Sequence, residues 1–279
     1  MNKSVFIIGS PRSGTTFVAN LLRMNESNFV DIEPDPKFHK ESRLYYETRN
    51  KIYLKYFSKQ IKASIDNTAQ NNLVYVSKSP NYLSFVNELV EQFNAQIIFV
   101  IRDGKEAVCS MMDWNTYHSK SFFHLAEDWP NNSQEVCGNE SFDSWDFSRF
   151  RPKKADPIFM VWKKLSRFEK CAWYWSKFNS ILLNYYDKYK LNSMLIHADN
   201  ISYDLWSSKL KKLDLDVNSK IDFEKCLNSK RKKNSVESRF SINQRFLKPS
   251  FWNTTLNNQF DKLAGSVYRD CNERRKYNL

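Results

Sequence analysis

Glycine is scarce in this chain, with five in 279 residues, so the backbone has few places to turn with a positive φ or to let a ligand come close. No apolar run reaches the roughly 18 residues of a membrane-spanning helix. The first apolar segment starts at Ser4, which leaves no length for a secretory leader ahead of it. The expectation is a protein without a transmembrane segment, working in the cytoplasm. Cys109, Cys137, Cys171, Cys226 and Cys271 are an odd number without close pairs, which points away from a disulfide framework and from a zinc site. His118, His124 and His197 have no carboxylate or cysteine at readable spacing and are given no role. Internal repeats are absent. Acidic residues, 31 against 43 lysines and arginines, leave a formal charge of +12. That charge calls for an anionic ligand, an anionic acceptor or an acidic polymer without choosing among them.

Two of the five glycines stand close together. The apolar run Val5–Ile8 leads into Gly9-Ser-Pro-Arg-Ser-Gly-Thr-Thr16, and Phe17, Val18, Leu21 and Leu22 follow at helical spacing. A strand, a tight loop turning at Gly9 and Gly14, and then a helix describe a phosphate-binding loop, with amide N–H groups and the helix dipole aimed at an oxyanion. The loop lacks the lysine of the nucleoside triphosphatase pattern: Thr15 stands in its place and the cation is Arg12. A guanidinium fork at the loop mouth grips an oxyanion without a metal to screen it. The loop therefore suits a phosphate group of lower charge than a triphosphate tail, and no metal site is expected.

A second motif has the same logic. Ile97–Ile101 reads as a buried parallel strand, Asp103-Gly104 as a turn, and the residues from Lys105 as a helix. Arg102 stands at the carboxyl end of that strand and Ser110 in the second turn of the helix, at the edge where doubly wound sheets bind ligands. Further strands are expected at Leu73–Val76 and Met194–Ile196, with a short one at Val30–Ile32. Helices are expected at 15–25, 40–66, 82–93, 105–117, 158–190 and 253–275. This alternation predicts an α/β fold, a P-loop-type doubly wound parallel sheet flanked by helices, as a single domain. Between His118 and Pro157 periodicity fails, and Trp129, Trp145, Phe147 and Phe150 are mixed with polar residues; an irregular insertion at about 118–157 is expected to serve as a lid or acceptor-binding loop.

The loop at Gly9–Thr16 resembles the 5′-phosphosulfate loop of sulfotransferases that use 3′-phosphoadenosine 5′-phosphosulfate (PAPS). The Arg102 turn resembles the 3′-phosphate site of that family, with Gly104 where a proline is usual, a change expected to loosen the turn. The resemblance implies that PAPS is the co-substrate, bound by Arg12, Ser13, Gly14, Thr15 and Thr16 at one end and by Arg102 and Ser110 at the other. Val30-Asp-Ile-Glu-Pro34 is similar to a Glu-Pro step of carbohydrate and bacterial sulfotransferases, which implies Glu33 as the catalytic base, with Asp31, Asp35 and His39 in reserve. Lys78, in Val76-Ser-Lys-Ser-Pro80, resembles the Lys-Ser-Pro step of heparan-type enzymes, where lysine assists the leaving oxygen. Arg231 and Lys232, in a basic run read as a solvated loop, are possible cofactor contacts by the same resemblance. The helix bearing Trp162, Trp173 and Trp175 is similar to a tryptophan-bearing helix of the family, and most of its aromatics are read as core.

The activity so implied is sulfuryl transfer to a hydroxyl or amine of a carbohydrate, lipid or small metabolite, with a small-molecule or glycan acceptor and no nucleic-acid partner. Two other readings stay open on the sequence. One is a P-loop kinase, with Thr16 and Asp103 at a magnesium site; the other is a nucleic-acid-binding protein using the basic surface and exposed aromatics. Neither the acceptor nor the oligomeric state is written in the sequence.

Overall fold

The computed structural model describes residues 3–34, 37–113, 149–235 and 248–277. Alternating apolar side chains let each inner strand feed two cores at once. Phe6, Ile8, Ile97, Phe99 and Ile101 face one side of the sheet, and Val5, Ile7, Ile98 and Val100 face the other. Such two-faced burial needs helices on both sides, and parallel strands joined by crossover helices provide them. The strands are β1 (Ser4–Gly9), β2 (Asn28–Ile32), β3 (Val74–Lys78), β4 (Gln96–Ile101) and β5 (Ser193–His197). They lie in the order β2-β3-β1-β4-β5, all parallel. After β1 the chain runs out to β2 and back through β3, and then crosses to β4 on the other side. The carboxyl ends of β1 and β4 therefore flank the switch point where this class of sheet opens a crevice.

The first core packs against α2 (Lys37–Thr48), α3 (Ile52–Gln70), α4 (Val86–Phe93), α5 (Gly104–Asp113), α6 (Arg167–Lys188) and α9 (Thr254–Tyr277); the second packs against α1 (Thr15–Arg23), α7 (Tyr203–Lys212) and α8 (Lys220–Ser235). Three expected helices are interrupted. The 40–66 segment breaks at Arg49–Lys51, where Arg49 takes φ 57° and the Asn50 side chain accepts the Ile52 N–H at 3.0 Å. The 158–190 segment begins as a 3₁₀ turn, Pro157–Lys164, and restarts at α6 behind a capping box between Ser166 and Glu169, a Ser-x-x-Glu pattern that ends one helix and starts the next. The 82–93 segment opens as the 3₁₀ turn Pro80–Phe85. Helices α7 and α8 were not anticipated, and the basic run at 230–233 is helical, in α8, rather than a loop.

Of the expected insertion, 118–148 lies outside the described residues, and with it Trp129, Trp145 and Phe147. Phe150 is core: its ring stacks on Tyr46 at 4.1 Å and on Phe178 at 5.8 Å. Cys109, Cys171 and Cys271 are buried, and burial pushes the Cys109 and Cys271 thiols up to about 12, so both stay protonated packing groups; Cys137 lies outside the described residues. Among those residues no helix is long and apolar enough to cross a membrane.

Candidate functional site

The loop after β1 folds back by a hydrogen bond from the Ser13 N–H to the Ser10 carbonyl at 3.0 Å. Gly14 follows at φ 93°, in the left-handed region, and starts α1 directly, with no side chain capping the first turn and no acidic residue in it. A helix start without a side-chain cap or an acid is a place where an anion is favoured. The Ser10 and Ser13 hydroxyls are buried without a hydrogen-bond partner, a polar lining that fits a phosphate-type oxyanion. Gly14 admits no side chain: a Cβ would lie 2.9 Å from the Ala198 Cβ, besides the strain of its φ. Gly14→Ala should lower stability by roughly 1–3 kcal/mol and weaken nucleotide binding; denaturant melts with calorimetry check both, and unchanged values would remove Gly14 from the loop's design.

Arg12, also left-handed at φ 69°, reaches across to the second motif and donates from Nε to the Ser110 Oγ at 2.9 Å. Arg102 answers from the carboxyl end of β4, donating from Nη1 to the Arg12 carbonyl at 3.3 Å. The two motifs thus share one patch with two guanidiniums. Partial desolvation at the loop mouth, and then the charge of Arg102, pull Arg12 below the ordinary arginine range, while Asp113 opposes them. Two like charges held this close favour an anion between them.

Gly104 does not loosen its turn. A Cβ there would meet the Trp175 ring at 2.8 Å, so the glycine lets that buried indole close over the start of α5. The turn itself is held by Asp103, whose Oδ1 accepts the Glu106 N–H at 3.0 Å and whose Oδ2 accepts the Tyr268 hydroxyl at 2.8 Å. Burial, reinforced by Asp103, pushes Tyr268 up to about 12, so it remains a donor. Both carboxylate oxygens of the residue named for magnesium in the kinase reading are therefore engaged in structure. Asp199, two residues past β5, accepts the Asp103 N–H at 2.7 Å and lies 3.4 Å from the Arg102 Nε. Neither Tyr268 nor Asp199 was singled out from the sequence. Asp199 had the same indication as Arg102, a charged residue just beyond a buried parallel strand.

The third group lies on the β2–β3 side. Ile32 is in register with Lys78, and the Glu33 N–H continues the ladder to the Lys78 carbonyl at 2.8 Å. The Lys78 ammonium closes on the Glu33 Oε1 as an ion pair, with the lysine side chain 7% exposed and the glutamate 20%. Glu33 sits at φ 55°, a conformation that costs a non-glycine residue roughly 1–2 kcal/mol and persists because backbone and side chain are both tied to Lys78. Pro80 ends the strand, and Ser79 caps the 3₁₀ turn by accepting the Asn81 N–H at 3.2 Å. Of the reserve bases, Asp31 is raised first by burial and has Tyr75 and Arg23 as its side-chain neighbours, rather than Lys78. Asp35 lies outside the described residues, as do the side chains of His39, Arg231 and Lys232.

His197 ends β5, buried. Burial, and then Arg275 and Lys209, lower its pKa from 6.5 to about 4, so the neutral imidazole is the native form. A depressed value stabilises the fold fully above the unfolded pKa of 6.5, and the contribution is lost as pH falls towards 4, about 3 kcal/mol in all. Denaturant melts at pH 7.5 and pH 4 should show the wild type losing that much more than His197→Gln; equal losses would mean that residue 197 does not titrate as described.

A five-stranded parallel sheet flanked by helices, with a lysine-free glycine loop and a paired carboxylate and ammonium on the same edge, places the chain in the α/β class. The family model described as Sulfotransferase domain matches residues 2–196, well over half of the chain, and the chain belongs to that family as a sulfotransferase. No curated protein matches it. Among solved structures it is similar to a sulfotransferase domain from the curacin biosynthetic pathway, at 15% identity over 94% of this chain and 90% of that one, with a TM-score of 0.45. It is similar also to a sulfotransferase from Alicyclobacillus acidocaldarius, at 12% identity over 96% and 99% with a TM-score of 0.49. Mouse sulfotransferase SULT7A1 complexed with PAP is similar at 14% identity over 94% and 83%, with a TM-score of 0.44.

Proposed function

We propose that the chain transfers a sulfuryl group from PAPS to a hydroxyl or amine of a carbohydrate, lipid or small metabolite. The observation that carries this reading is the junction of Arg12, Ser110 and Arg102: the loop's cation bonds the serine of the second motif, and Arg102 bonds the loop's carbonyl. A nucleotide with phosphates at two ends needs two adjoining anion pockets, and this junction supports them. Ser13 to Thr16 hold the 5′-phosphosulfate on backbone N–H groups, with Arg12 at the mouth. Arg102 and Ser110 hold the 3′-phosphate.

PAPS supplies an activated sulfuryl group on a good leaving oxygen. Glu33 accepts the proton of the acceptor hydroxyl as the acceptor oxygen bonds to sulfur; the bond from sulfur to the bridging oxygen breaks, and adenosine 3′,5′-bisphosphate departs with that electron pair. Lys78 stabilises the charge gathering on the bridging oxygen. The ion pair keeps base and ammonium adjacent, so one substrate geometry serves both. Cys109, Cys171 and Cys271 are free cysteines, as is usual for proteins of a reducing compartment, and we place the enzyme in the cytoplasm.

Ligand binding raises apparent stability by mass action. Adenosine 3′,5′-bisphosphate at about a hundred times its Kd should raise the melting temperature by about 5–10 °C, and ATP with magnesium should not. A shift with ATP and magnesium alone would overturn the reading.

A further inference from the structure

We infer that Asp199 is the positioning residue of the Arg102 pocket, setting the guanidinium in line for the 3′-phosphate; the inference rests on the donor reading above. A carboxylate beside an anion pocket opposes the ligand, so its presence calls for a reason. Ala198 donates its N–H to the Ile101 carbonyl at 2.9 Å, which carries β5 pairing one residue further and brings Asp199 level with Arg102 and Asp103. Its two oxygens then do separate jobs. Oδ2 accepts the Asp103 N–H at 2.7 Å, fixing the turn, and Oδ1 faces the Arg102 Nε at 3.4 Å.

The remaining edges of the Arg102 fork are also guided. Nη1 donates to the Arg12 carbonyl at 3.3 Å, and Nη2 lies 3.6 Å from Glu106. Arg102 and Asp199 are each 28% exposed, so the guanidinium is steered without being buried, and donors remain for a ligand. Arg12 and Arg102 repel one another before an anion arrives. Asp199 offsets that repulsion and keeps Arg102 against the Arg12 carbonyl, and a bound phosphate dianion then takes over as the counter-charge. Only a carboxylate fits: both of its oxygens accept. An amide in the same place turns its NH₂ towards either the Asp103 N–H or the Arg102 Nε–H, and one of those donors loses its acceptor.

The test is calorimetry on the full chain with adenosine 3′,5′-bisphosphate and adenosine 5′-monophosphate, together with turnover. In Asp199→Asn, bisphosphate affinity should fall about tenfold, while monophosphate affinity and melting temperature hold. The KM for PAPS should rise to match, with kcat nearly unchanged. Asp199→Glu, which keeps two acceptor oxygens, should retain more of the bisphosphate preference than Asn does. In an Arg102→Ala background, Asp199→Asn should have no further effect on bisphosphate binding, the mark of two residues acting as one. Full bisphosphate preference in Asp199→Asn, or equal loss for both nucleotides, would overturn the assignment. A wild-type chain without any preference would remove the donor reading and this inference together, whereas a wild-type preference untouched by Asn removes only the role of Asp199.

Discussion

Turnover of Glu33→Gln should fall by about 10²–10⁴-fold, the scale of a removed general base, while affinity for adenosine 3′,5′-bisphosphate stays within about twofold. The substitution is nearly isosteric, and the amide oxygen still accepts from the Lys78 ammonium, so the β2–β3 edge keeps its shape. The ability to take the acceptor's proton is lost. A drop in kcat with unchanged nucleotide binding places Glu33 at the chemical step. Retained turnover would move the base elsewhere, and not readily to Asp31, whose neighbours are Tyr75 and Arg23.

Lys78→Met should lower kcat by about 10²–10³-fold, the scale of one electrostatic stabiliser removed from a developing oxyanion. Methionine keeps the apolar stem in its buried slot and deletes only the ammonium. It also leaves the Glu33 carboxylate without its ion-pair partner, so stability should fall by about 1–3 kcal/mol, and turnover must be read well below the melting temperature. Because the two side chains act as a pair, the double variant Glu33→Gln, Lys78→Met should lose much less than the product of the single losses. Full additivity, or a Lys78→Met enzyme with wild-type kcat, would separate lysine from the reaction.

Features with a local cause were legible in the sequence. The loop at Gly9–Thr16 was readable because a scarce residue type marks both of its turning points. Arg102 and Ser110 were readable because a buried strand ends at one and the next helix carries the other. The structure brings these residues together and joins Glu33 to Lys78, a contact that β2–β3 register sets at long range and no spacing reveals. Tyr268 was missed for the same reason, since it meets Asp103 only after α9 packs against α5 and α6; Asp199 had a local indication at the end of β5, but its contact with Asp103 waits on β5 lying beside β4. The break at Arg49 was hidden because Leu44, Tyr45, Phe57 and Ile61 keep an apolar face across it. The capping box at Ser166 and Glu169 lies inside a long apolar pattern, which hides the break before α6.

In the proposed reading, two adjoining anion pockets receive one adenosine bearing phosphates at both ends. Calorimetry of the wild-type chain with adenosine 3′,5′-bisphosphate, adenosine 5′-monophosphate and adenosine 3′-monophosphate tests it most directly. The bisphosphate should bind at least about tenfold more tightly than either monophosphate, each pocket adding charged hydrogen bonds of roughly 1.5–3 kcal/mol. A bisphosphate that binds no better than the 5′-monophosphate would contradict the account.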